Sequence, residues 1–179
     1  MKNLPYKCIQ LTLGALLFCT PSALYAGSLY AEVKPQGLEG VFEVLIFVDA
    51  EDSINALEGE VLFTKSMFEV DRMYDGNSRI NFWLKKPQFE DDSIIFGGIT
   101  PGGFSGKQQL IFSALIRQIM KGQGEISFNN IVALRNDAEA SRFPLTVKKI
   151  AIGGDVVASS GGALNVDDVA PPESFVPQV

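Results

Sequence analysis

The sequence has 179 residues, 46% of them hydrophobic, which suits one domain that buries a core and is too apolar for a disordered chain. Its 15 basic and 21 acidic residues leave a net charge of −6, which repels phosphate and so excludes nucleic acid and anionic membrane surfaces as partners. It has no histidine, and its only cysteines are Cys8 and Cys19.

Residues 1–26 have the layout of a secretory signal peptide. Lys2 and Lys7 form a basic start, residues 9–18 an apolar stretch, Pro21 a break, and Ala23-Leu24-Tyr25-Ala26 a cleavage site before Gly27. The stretch is too short to span a bilayer as a stable helix, so no membrane insertion beyond the signal is expected. Cys19 invites a lipoprotein reading, but bulky Phe18 stands where a small residue belongs, and ordinary export fits better. The expected location is secreted, extracellular or at the cell surface. Loss of Lys2 and Lys7 leaves 13 basic against 21 acidic residues, a charge of −8, and no cysteine on the exported chain. Such a charge steers toward basic partners and also serves plain solubility, the simpler account on charge alone. A domain of this size holds itself together by burial and needs no disulfide.

From Gly27 onward, short strand-like runs alternate with turn residues. Residues 29–34 form the first, stopped by Pro35-Gln36-Gly37, and 41–48 the second, apolar on both faces as in a central strand. An acidic loop, 49–53, precedes 54–63, where Leu57, Gly59, Val61 and Phe63 share one side and Glu58 and Glu60 the other. Residues 68–73 follow, then the turn Asp75-Gly76-Asn77-Ser78. Over 79–85, Ile80, Phe82 and Leu84 oppose Asn81, Trp83 and Lys85; 87–92 is a loop. Residues 93–116 read as strand, glycine-rich turn, strand: Pro101 presets one turn torsion and Gly102 takes the positive φ that follows. Absent side chains at Gly97 and Gly98 let another backbone approach. Residues 125–134 make a strand bulged at Asn129-Asn130, 136–141 a polar loop with the one short helical turn, and 145–152 a closing strand. In that last run the alternation slips, and a bulge at Lys148-Lys149 would restore it.

Nine short strands without helical periodicity predict an all-β domain over 27–153, a sandwich or a barrel, with odd residues facing in to form one core. Residues 154–179 shift to Gly and Ser and then to proline, as in a free tail or, the preferred reading, a linker leading to a further domain.

Without histidine or cysteine, the exported chain cannot assemble a zinc site, a Ser-His-Asp triad or a Cys-His dyad. The glycine loop before Lys107 fails as a phosphate cradle, since Pro101 and Gln108 stand where Gly and Ser/Thr belong. Asp71 and Asp75-Gly76-Asn77 lack the alternating acids and closing Glu of a calcium loop. Glu58, Glu60, Asp91 and Asp92 offer carboxylates, but solvated charges account for them better than a glycosidase pair. No enzyme activity, cofactor or metal is expected. Trp83, between Asn and Lys neighbours, either anchors an interface or plays a structural part, covering the sheet edge or packing under the loop at Pro87; the pattern leaves both open.

Several pieces, in order, resemble cohesin modules of secreted bacterial proteins: Ile54-Asn55-Ala56-Leu57-Glu58-Gly59, Phe63-Thr64-Lys65-Ser66-Met67-Phe68-Glu69-Val70, Phe82-Trp83-Leu84 before Pro87, and Phe96-Gly97-Gly98, Pro101-Gly102-Gly103-Phe104-Ser105-Gly106 and Leu110-Ile111-Phe112. The resemblance covers most of residues 28–152. It implies a nine-stranded jelly-roll sandwich that binds a dockerin-type protein module, with calcium held by the partner, in extracellular assemblies that often degrade polysaccharide. It places the partner face on the third, fifth, sixth and eighth strands: Glu58, Glu60 and Leu62, then Asn81 and Trp83, then Ile95, then Ser127 and Asn129. The turn after Phe63 lacks the Asp-Pro common in that family. Two rival roles use the same sandwich: carbohydrate binding with Trp83 stacked on polysaccharide, and a passive spacer in a surface protein.

Overall fold

The computed structural model describes residues 27–154; the predicted signal peptide and the tail beyond Gly154 lie outside the described residues. There are eight strands: β1 (Gly27–Pro35), β2 (Val41–Phe63), β3 (Phe68–Tyr74), β4 (Phe82–Glu90), β5 (Ser93–Gln118), β6 (Gly124–Arg135), β7 (Leu145–Val147) and β8 (Ile150–Ile152). Among the described residues there is no helix. The helical turn expected at 136–141 is a polar turn instead, closed by the Asp137 carboxylate, which accepts from the Ser141 N–H and hydroxyl. Those bonds hold the Asp137 carboxyl below its usual range.

Two of the strands are far longer than the sequence suggests, β2 at 23 residues and β5 at 26. They pair antiparallel from Val41↔Arg117 to Leu62↔Ser93, with register shifts around Ala50 and Ile54. Yet Phe96 and Phe112, both in β5, have ring centroids 5.2 Å apart. A straight strand would separate them by roughly 50 Å. The β5 ribbon therefore folds over between the two rings, and β2 folds with it.

The result is two packed layers. One holds β4, the first half of β5, the second half of β2, β6 and β8; the other holds β3, the second half of β5, the first half of β2, β1 and β7. Val44 and Ile46 from one layer meet Leu57 and Val61 from the other in a single core. This is the predicted all-β sandwich.

Three expectations need correction. The acidic loop at 49–53 and the glycine turn after Gly98 are parts of continuous strands. Bulges let these strands bend without losing their ladder: Ala50 still pairs with Gly106, and Ile54 with both Phe104 and Arg135. Positive φ at Gly102 and Gly103, 84° and 69°, supplies the bend that Pro101-Gly102 predicts. The bulges also switch the inward parity of β2, from Phe42, Val44, Ile46 and Val48 to Leu57, Val61 and Phe63, so odd residues do not face in throughout. Finally, the ninth predicted strand is two strands. The chain changes layer at Lys148-Lys149, where the alternation slips, so that β7 pairs parallel with β1 and β8 antiparallel with β6.

One contact on the outer side of the second layer yields a pH signature. The Tyr30 hydroxyl donates to Asp49 Oδ1 at 3.3 Å, and the same oxygen accepts from the Gln108 N–H at 2.7 Å. Burial first, and then the Asp49 charge, raise the Tyr30 phenol to about 12. The folded state thus keeps this proton more tightly than the unfolded chain does. The stability linked to it is whole below the ordinary tyrosine pKa of 10.0 and is lost as pH rises from there to about 12. In an absorbance titration of the phenolates, one tyrosine is expected to ionise last, and Tyr30→Phe should remove that phase. A titration unchanged by Tyr30→Phe would refute the assignment.

Candidate functional site

The outer side of the β4–β5–β2–β6 layer collects most of the residues that the sequence places on the partner face. Cross-strand pairing orders them in rows. Ser127, Leu62 and Ser93 share one row; Asn129, Glu60, Ile95 and Gln88 the next; Val132, Glu58, Gly97 and Lys85 a third; Leu134, Ala56, Ile99 and Phe82 a fourth. Glu58, Glu60, Leu62, Ile95, Ser127 and Asn129 therefore form one continuous surface. Asn81 stands exposed at its lip, with its N–H donating to the Ile99 carbonyl at 3.2 Å.

Trp83 does not join them. It pairs with Gly98 on the inner side and packs against the core. The reason is local. Gly98 has no side chain under β4, and Ile80, the Phe82 carbonyl and Trp83 occupy the space its Cβ would take. With Trp83 inside, Phe82 and Leu84 turn outward, 60% and 79% exposed, the reverse of the predicted alternation. A register shift between Trp83 and Lys85 then returns Lys85 to the outer side. The face thus gains three apolar residues that the sequence reading assigned to the interior or left out: Phe82, Leu84 and, 37% exposed, Ile99. The exposed Phe82–Ile99 pair is the signal that pairing, and not alternation alone, could have found.

At the centre, a groove of about 330 Å³ runs between Glu58, Glu60, Leu84, Ile95 and Asn130. The bulge predicted at Asn129-Asn130 is present: Glu58 pairs with Val132 but Glu60 with Asn129, and Asn130 sits at φ 52°. The extra residue brings two amides to one carboxylate. Asn129 Nδ2 donates to Glu60 Oε2 at 3.3 Å and Asn130 Nδ2 to Oε1 at 3.2 Å. The Glu58 side chain lies over Gly97, where a Cβ would sit 3.8 Å from its Oε2 and 3.9 Å from Lys85 Cβ.

A larger cavity, about 590 Å³, is lined by Glu39, Phe42, Gln118, Ile119 and Met120 and shares no residue with this face. Among the described residues, no three His, Cys, Asp or Glu side chains group as metal ligands would.

Solved structures share this arrangement of strands. A non-cellulosomal cohesin of the archaeon Archaeoglobus fulgidus superposes with a TM-score of 0.56 at 17% identity, covering 69% of this chain and 87% of its own. The chain has the cohesin fold. The seventh ScaB type I cohesin of Pseudobacteroides cellulosolvens gives a TM-score of 0.57 at 11% identity, with 79% and 99% covered. A type I cohesin–dockerin complex of Clostridium thermocellum gives 0.53 at 10% identity, with 70% and 90% covered. No protein-family model and no curated protein matches the chain. At these identities the cohesin likeness carries the fold, and the use of the face rests on its own chemistry.

Proposed function

We propose that this cohesin-like domain is an exported, non-catalytic adhesion module that binds a dockerin-type protein through the outer face of β4, β5, β2 and β6, in an extracellular or surface assembly. The observation that carries the reading is the apolar trio Phe82, Leu84 and Ile99, displayed on the same face as the clamped Glu60. Apolar anchors beside oriented polar groups are the anatomy of a protein interface. Structural neighbours include cohesins in complex with dockerins, which supports that class of partner. Calcium, on this reading, belongs to the partner. The polysaccharide alternative loses its main support, because Trp83 packs inward and offers no ring to a sugar.

The test is capture of calcium-loaded dockerin modules by the immobilised domain, with and without chelator. Retention that disappears with chelator, and also with Leu84→Asp, is the expected outcome. Failure to retain any dockerin from a broad panel would overturn the reading.

A further inference from the structure

We propose that the groove between the β1–β2 and β5–β6 turns seats a segment of this same chain, Asp155-Val156-Val157-Ala158, which follows directly on the last described residue. The groove, about 590 Å³, shares no residue with the partner face, whose use can fail without affecting it. Its apolar side chains stand in the open. Ile119 is 49% and Met120 53% exposed, and Leu38, 73% exposed, sits on the turn that supplies Glu39 and Gly40 to the groove. Among the described residues, the other such trio is Phe82, Leu84 and Ile99 on the partner face. Large apolar side chains exposed together mark an interaction site.

Hydrogen bonds fix the turn that carries two of them. Gln118 Nε2 donates to the carbonyls of Met120 and Gly122, each at 2.7 Å. The Ile119 N–H donates to the Met67 carbonyl at 2.9 Å, and the Gln118 N–H to the Gly40 carbonyl at 2.7 Å, which ties the two turns together. A turn held in this way gives up little further freedom when its apolar side chains are covered.

Where the chain leaves β8 selects the occupant. Gly154 itself lines the groove, and Gly153 and Gly154 both take positive φ, 81° and 73°. A Cβ on Gly153 would sit 2.7 Å from Gln118 Oε1 and 2.8 Å from the Gly122 carbonyl oxygen. Only glycine lets the chain lie this close to the turn that carries Ile119 and Met120. Val156 and Val157 come two and three residues later, and at about 3.6 Å per residue at most, both stay within about 11 Å of Gly154. So short a tether gives an effective concentration in the millimolar range, at which a contact too weak to hold a separate peptide suffices. Charge favours one side of the groove. Lys121 lines it and takes part in none of the ion pairs among the described residues, so Asp155 meets a base there, whereas Glu39 on the other turn repels it. With 155–158 seated, the reach of whatever follows is counted from Ser159 on the end of the domain.

The test is methyl and amide NMR on the isotope-labelled exported chain, residues 27–179. Nuclear Overhauser cross-peaks are expected from the Val156 or Val157 methyls to those of Ile119 or Met120. The amides of 156–158 should exchange about tenfold or more slowly than an unstructured chain of the same sequence. Ile119→Asp, at an exposed position, should abolish both signals, as should Val156→Asp with Val157→Asp; Val169→Asp, farther along the tail, should leave both unchanged. An unmoved melting midpoint verifies that each variant folds. Absent cross-peaks, exchange at the unprotected rate, or signals that survive Ile119→Asp would each overturn the proposal. So would cross-peaks that arise only between differently labelled molecules, which would give the groove to a second copy, or cross-peaks from Phe175 in place of the valines.

Discussion

Phe112→Ala is expected to destabilise the domain by about 3–5 kcal/mol, the usual cost of emptying a buried phenylalanine site. Phe112 is fully buried, and its ring meets that of Phe96 at 5.2 Å with 59° between the planes. The pair closes the interior between the two halves of the folded β5 ribbon. Truncating either ring leaves a cavity that both layers border, and close packing allows only partial collapse. For a domain of this size the loss corresponds to a fall of roughly 10–20 °C in melting midpoint. Phe96→Ala should cost a similar amount. The double variant should cost less than the sum, by about 0.5–1.5 kcal/mol, because the ring–ring contact is lost only once. Denaturant unfolding of the four proteins measures all of this. A midpoint unmoved by Phe112→Ala would mean that the rings do not share an interior, and the two-layer fold would fall with them.

Periodicity made part of this structure legible and hid another part for a definite reason. The inward set Leu57, Gly59, Val61 and Phe63 could be read directly, because two faces with different neighbours impose a period of two. The slip at Lys148-Lys149 and the paired asparagines were equally readable as places where that period breaks. What could not be read was whether a break ends a strand or bends it. At Ala50 and Ile54 the ladder is shifted but never abandoned, so an acidic stretch that resembles a loop stays in the sheet. The error at β4 has a different origin. Ile80, Phe82 and Leu84 are spaced as an inner set should be, and Ile80 is indeed buried. The choice between Phe82 and Trp83 is made by the bare backbone of Gly98 on the neighbouring strand, which no local pattern in 79–85 encodes. The resemblance carried the same error, since it placed Trp83 on the partner face by position. Six of the eight residues named for that face nonetheless lie together, because Glu58 and Glu60 fixed the outer side of β2 and its pairing partners followed.

That glycine is the source of the second large effect. Gly98→Ala is expected to destabilise the domain by about 1–3 kcal/mol, the range for overpacking a filled site. A Cβ there would lie 2.4 Å from Ile80 Cγ2, 2.8 Å from the Phe82 carbonyl oxygen and 3.2 Å from Trp83 Cε3. A side-chain methyl can yield to some extent, but the carbonyl belongs to β4 itself, so the strand must move off β5. Trp83 is the only tryptophan, and its fluorescence reports the move without ambiguity: emission from folded Gly98→Ala should shift toward that of a solvated indole. Adding Ile80→Ala removes one of the two close contacts and leaves the backbone one, so it should restore the emission only in part. The face should suffer in step, because Phe82 and Leu84 ride on β4 whereas the Glu60 clamp is built from β2 and β6. Binding to a captured dockerin should therefore weaken. Wild-type emission and midpoint in Gly98→Ala would contradict the inward packing of Trp83, and with it the outward turn of Phe82 and Leu84 on which the apolar half of the interface depends.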